Sequence, residues 1–96
     1  MHTTSIAIPK EEVGKFAFYH KDVYECLREK ANRVSQLQRA MQLGNLYQHK
    51  VRIEYQLNTG ERHSVYTTVW TICPDYVILK GGRGIPIKAI TNIRLI

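Results

Sequence analysis

The stretch on which the fold turns is Lys50-Val51-Arg52-Ile53-Glu54-Tyr55-Gln56-Leu57, Asn58-Thr59-Gly60, Glu61-Arg62-His63-Ser64-Val65-Tyr66-Thr67. Val51, Ile53, Tyr55 and Leu57 alternate with Lys50, Arg52, Glu54 and Gln56, the period of a half-buried strand. Asn58-Thr59-Gly60 suits a three-residue hairpin loop, a type I turn followed by glycine in the left-handed region. That loop pairs Leu57 with Glu61, Ile53 with Val65 and Val51 with Thr67. Both apolar sets then fall on one face, so the register is self-consistent.

Downstream, Arg62 to Cys73 reads as one long strand. Val65, Thr67 and Val69 point one way, and Tyr66, Trp70 and Ile72 the other. Apolar residues on both faces predict a strongly bent strand, covered on its second face most simply by a helix. Pro74-Asp75 turns the chain, Tyr76 to Lys80 is a third strand, and Gly81-Gly82-Arg83-Gly84 is a tight connection. Ile85-Pro86-Ile87 is a short fourth strand confined to an edge, because proline lacks one ladder donor. Lys88-Ala89-Ile90 fits a single 3₁₀ turn, and Thr91 to Ile96 a fifth strand.

Upstream the period changes to that of a helix. Asp22-Val23-Tyr24-Glu25 has the form of a capping box. From there Val23, Leu27, Ala31, Val34, Leu37 and Met41 step by three or four residues, one apolar stripe. Arg28, Glu29, Arg33, Gln36 and Arg39 occupy the opposite face. Leu43-Gly44-Asn45 is expected to end the helix through a left-handed cap. A helix from Val23 to Leu43 would be about 30 Å long. Pro9 with Glu11 and Glu12 marks a candidate second, short helix, and residues 1–8 read as a loose arm.

Helix, long bent hairpin, third strand, short fourth strand, one helical turn and last strand is the order of SH3-like and Sm-like small barrels. More narrowly, Leu43-Gly44-Asn45, Thr67-Thr68-Val69-Trp70, Leu79-Lys80-Gly81-Gly82 and Ile85-Pro86-Ile87 resemble a family of short uncharacterised bacterial proteins, over residues 40–96. That resemblance implies the barrel and no transferable activity. Cys73-Pro74-Asp75 stands where Sm proteins carry an Asp/Asn pair, so it does not imply their uracil pocket. The expected fold is α+β: an N-terminal helix, with the candidate second one, packed on a five-stranded antiparallel SH3-like/Sm-like small β-barrel. One domain spans 1–96, with the arm at 1–8, a helical region at 9–44 and the barrel at 47–96.

Ninety-six residues, 44% hydrophobic and 23% charged, suit one modest core. The formal charge is +6. Residues 1–44 carry seven Lys/Arg against five Asp/Glu, and residues 45–96 seven against three, so the excess sits mainly on the barrel. A basic surface favours anionic partners and also plain solubility. Cys26 and Cys73 form no CxxC and are too few for a secreted disulfide scaffold. The first nine residues have no basic leader or long apolar run, and no stretch approaches bilayer-spanning length. A cytoplasmic protein without membrane attachment is the expectation.

Little in the chain reads as catalytic. His2, His20, His49 and His63 hold no metal-ligand spacing with one another or with a cysteine, and no metal, cofactor or small-molecule substrate is implied. Gly81-Gly82-Arg83-Gly84 could cradle an anion, but a tight turn needing positive φ is the simpler role. The outward face of the second strand is more informative. Tyr66, Thr68 and Trp70 there share a face with Arg52 and Lys50 of the partner strand, and aromatics beside cations can stack on bases and hold phosphates. Docking of the long helix on that face is the competing use. The residues expected to contact nucleic acid or a partner are Arg52, Tyr66, Trp70, Lys80, Arg83 and Lys88. Two function classes follow. The first is a non-catalytic binding or assembly module that self-associates through its open strand edges to a homo-oligomer. The second is a nucleic-acid binder, of RNA or DNA, using the basic barrel surface.

Overall fold

The computed structural model describes residues 5–95. Its elements run β1 (Ile6–Ala7), a 3₁₀ turn (Lys10–Glu12), α1 (Leu27–Tyr47), β2 (Lys50–Gln56), β3 (Arg62–Ile72), β4 (Tyr76–Leu79), β5 (Gly84–Pro86), a 3₁₀ turn (Ile87–Ala89) and β6 (Ile90–Leu95). The architecture is α+β, with one helix packed on one sheet. Antiparallel neighbours give the order β5-β4-β3-β2-β6, and β1 adds to β3 in parallel. Among the described residues no ladder joins β5 to β6, so the sheet is not closed.

The hairpin register is the expected one: Ile53 faces Val65 and Val51 faces Thr67. The Leu57 amide donates to the Glu61 carbonyl across the loop, and Gly60 stands at φ 94°. With that register fixed, Val51, Ile53, Tyr55 and Val65 all face one side and are buried. β3 changes partner along its length. Up to Thr68 it pairs with β2, and from Val69 with β4, with a bulge between Val69 and Thr71. Leu79 and Val77 of β4, Ile85 of β5, and Ile90 and Ile93 of β6 complete the core with Leu37 and Ala40 of the helix.

The helix departs from expectation in phase and extent. It begins at Leu27 with Cys26 as an extended N-cap, four residues later than the stripe suggests. It runs through Gly44 to Tyr47, and Gln48, at φ 52°, supplies the left-handed cap. Its buried face is Arg33, Leu37, Ala40 and Gly44, while Leu27 is 80% exposed and Val34 39%. Gly44 is therefore a close-approach glycine and not a terminator. A Cβ there would fall 3.0 Å from Thr68 Cγ2 and nearer still to the Val69 carbonyl oxygen. The helix backbone sits directly against β3 at that point.

Residues 13–25 form no helix. They strap the sheet instead. The Asn58 amide donates to Ala17, Tyr19 donates to Gln56, and Phe18 bridges Leu57 antiparallel beyond the last β6 pair at Tyr55. Sheet backbone therefore satisfies amides that a helix would have used, and Phe18 gains Tyr55 at a ring distance of 5.4 Å. The arm is also partly docked, with Ile6 opposite His63 and the Ile8 amide donating to Ser64. Residues 1–4 and the end of the expected last strand at Ile96 lie outside the described residues.

Candidate functional site

The register of three strands sets one surface. Arg52 of β2 stands opposite Tyr66 of β3 on one side and opposite Arg94 of β6 on the other. Directly opposed residues share a face, so Tyr66, Arg52 and Arg94 form a row across the outer side of the sheet. Lys50, one step along β2, places Nζ 5.7 Å from the Tyr66 ring centroid, a cation–π contact. Tyr66 remains 51% exposed. Glu54 is the acid beside this row, with Oε1 4.0 Å from Arg94 Nε.

Trp70 lies four residues beyond Tyr66. Thr67 and Val69 between them are buried, while Trp70, at the bulge between Val69 and Thr71, is 48% exposed. Thr68, between the two aromatics, is covered: its hydroxyl donates to the Gln48 carbonyl at 3.3 Å and its methyl meets Gly44. The helix end thus occupies the middle of this face and leaves both aromatics half-open. Helix docking, the competing use expected of the face, therefore takes only its middle, at Thr68.

The other expected contacts are dispersed. The Lys80 amide donates to Thr68, so this lysine follows β4 beside the middle of β3, with its side chain exposed. Arg83 faces the strap, with Nη1 donating to the Val13 carbonyl at 3.1 Å, a tether for the buried Val13. Gly81 and Gly82 both stand at positive φ, as a tight turn requires. Lys88 lies elsewhere, on the wall of a cleft of about 540 Å³ with Asp22, Val34, Tyr76 and Pro86. Arg52, Tyr66 and Trp70 therefore belong to one strand-built surface. Arg83 and Lys88 do not join it.

Arg94 is the residue that the sequence reading passed over at this surface. Its only signal was the charge of the last strand. Pairing between β2 and β6, remote in sequence, is what brings it to Arg52. A second overlooked group is structural. Arg33 donates from Nη1 and Nη2 to the two Asp22 oxygens, each at 2.9 Å, and from Nη1 to the Ile90 carbonyl at 3.3 Å. Asp22 also accepts the Tyr24 amide at 2.9 Å, and the Tyr24 hydroxyl donates to the Thr91 carbonyl. Partial burial pushes the Asp22 carboxyl up, but the Arg33 and Tyr24 hydrogen bonds and the charges of Arg33 and Lys30 outweigh it and hold it below the ordinary value. Burial raises the Tyr24 phenol, with Glu29 adding to the effect. This cluster pins the strap to the helix and to β6.

His63 packs against Tyr55 and Phe16, with ring centroids 6.0 Å and 5.7 Å away. Cys26 and Cys73 are free and exposed. Among the described residues no three His, Cys, Asp or Glu side chains converge as a metal site would need, and no helix is long and apolar enough to cross a membrane. Comparison with protein-family models, with curated proteins and with solved structures gives no match. The functional reading therefore rests on this chain's own geometry.

Proposed function

We propose that this chain is a non-catalytic small-barrel binding module that presents the outer face of β6, β2 and β3 to nucleic acid. The observation that carries the reading is the row Tyr66, Arg52 and Arg94 with Lys50 over the tyrosine ring. Two arginines directly opposed on neighbouring strands repel, and the Glu54 carboxylate, 4.0 Å from Arg94 Nε, lies against one of them. A bound phosphate relieves that repulsion, and an aromatic beside it offers a surface for a base. The strand order, with a single 3₁₀ turn before the last strand, supports the SH3-like or Sm-like form of the small barrel. The use made of the titratable groups supports a non-catalytic role: Asp22 is committed to Arg33, and His63 is packed between aromatic rings. Two free, exposed thiols suit a reducing compartment such as the bacterial cytoplasm.

Fluorescence anisotropy with labelled RNA and DNA of mixed sequence tests this. Three cations on phosphates of a flexible strand give a slope of log affinity against log salt of about −2. Arg52→Gln should weaken binding without unfolding the protein. No detectable binding at low ionic strength would overturn the reading.

Self-association is a second reading, favoured by the sheet borders. β5 and β6 each pair on one side only among the described residues, and free edges tend to be covered or paired. The first part of β6 is shielded by Tyr24 and Arg33, which leaves Asn92 to Leu95 as the edge a second copy would take. A homodimer by light scattering at micromolar concentration is the expected result, and a strict monomer would end this reading.

A further inference from the structure

We infer, resting on the nucleic-acid reading above, that the ligand is a single strand whose bases stack on Tyr66 and Trp70 as two separate platforms. At about 3.3 Å per residue, four residues of β3 separate the two aromatics by up to about 13 Å, the bulge between Val69 and Thr71 shortening the span. Bases along one strand of a duplex rise about 3.4 Å each, and their faces are hidden in the stack. Two half-exposed rings at this spacing therefore have nothing to stack on in a duplex. An unstacked strand can offer one base to each ring and carry the intervening chain between them.

The surface between the platforms fits that division. Thr68 is only 3% exposed, its hydroxyl is spent on the Gln48 carbonyl, and the end of α1 rises over it. No base can lie flat there, so the helix end separates the two stacking positions. The cations lie to one side. Lys50 approaches one face of Tyr66, and Arg52 and Arg94 extend from that ring across two strand spacings of about 4.8 Å. A base on the open face of Tyr66 would have its backbone directed along this track. Stacking of this kind tolerates any base, because every base has a π-face, so the binding should be strand-selective and sequence-tolerant.

Trp70 is the only tryptophan in the chain, so its fluorescence reports this platform alone. The experiment titrates the full chain with oligo(dT), oligo(rU), a mixed-sequence duplex of equal length, and polyglutamate. Single strands should quench Trp70 to saturation and bind at least about tenfold more tightly than duplex at equal salt. Trp70→Ala and Tyr66→Ala should each weaken single-strand binding by about five- to 150-fold, with the salt slope unchanged. Trp70→Phe should restore part of the loss, which separates stacking from any effect on folding, and circular dichroism should be the same for all variants. Equal binding of single strand, duplex and polyglutamate without quenching would overturn the single-strand inference and leave only a basic surface. Absence of binding by every probe at low ionic strength would overturn the underlying reading as well.

Discussion

Gly44→Ala should destabilise this protein although it replaces glycine by the best helix former. Inside a helix the exchange by itself gains about 1 kcal/mol. Here the new methyl would stand less than 3.0 Å from the carbonyl oxygen of Val69 and 3.0 Å from Thr68 Cγ2. The carbonyl cannot swing aside, because Val69 is held in β3 opposite Leu79 of β4. The helix must move away instead. Leu37 and Ala40, both fully buried on the same face, move with it. Overpacking of this sort costs about 1–3 kcal/mol or more, and contact with a fixed main-chain oxygen belongs at the upper end. The net expectation is a loss of about 2 kcal/mol. In a domain of this size that lowers Tm by about 8–16 °C. Urea denaturation followed by circular dichroism measures it. Asn45→Ala, at the exposed neighbouring position, gains propensity without the contact and should be neutral or slightly stabilising. A Gly44→Ala variant as stable as Asn45→Ala would refute the close approach and restore a capping role for this glycine.

Leu37→Ala should cost about 2–5 kcal/mol in the same assay, since the side chain is fully buried in the core; a loss below about 1 kcal/mol would place the helix elsewhere. The lowered pKa of Asp22 means that its contribution is present above the ordinary value of 3.8 and is lost as pH falls through the lower folded value. Stability of the wild type should therefore drop more steeply below that pH than stability of Asp22→Asn, and identical acid limbs would remove the Arg33 pairing. Burial pushes the Tyr55 phenol from 10.0 up to about 12. That stability is complete below the unfolded value and lost as pH rises toward the folded one. Ultraviolet titration should show the Tyr55 phenol ionising late and together with unfolding, with Tyr24 also delayed by its burial, and a Tyr55→Phe variant with an unchanged alkaline titration curve would contradict the burial of Tyr55.

The β half was legible because its determinants are local. A two-residue period, one glycine at positive φ and a proline at an edge fix β2, β3 and β5 within a residue or so. The N-terminal third was not, because its determinants are distant. Val13 and Phe18 are apolar for the sake of the sheet and not of a helix: the strap carrying them hydrogen-bonds to Gln56, Leu57 and Asn58. The helix stripe misled for a related reason. Val23, Leu27, Ala31 and Val34 keep perfect helical spacing, yet the buried face starts at Arg33. A guanidinium is not expected inside. It is tolerated here because Asp22 and the Ile90 carbonyl receive it, and neither partner lies on the helix.

The same contrast governs the candidate surface. Arg52 and Tyr66 are neighbours through the hairpin, and the sequence shows as much. Arg94 joins them only through β6, which is separated from the end of β2 by thirty-three residues of turns and strands (57–89), so no local pattern announces it. What ties all three together is register. Side chains alternate with a period of two, so a slip of one residue between β2 and β3 would carry Arg52 or Tyr66 to the core side and bring Ile53 or Val65 out. The loop at Asn58-Thr59-Gly60 and the buried row Val51, Ile53 and Tyr55 exclude that slip. The hydrophobic interior therefore specifies the charged exterior: each core residue that locks the hairpin also fixes which face the cations and the exposed ring must occupy. A surface built in this way needs no flexible loop to assemble it, because the strand register alone decides which residues lie on it.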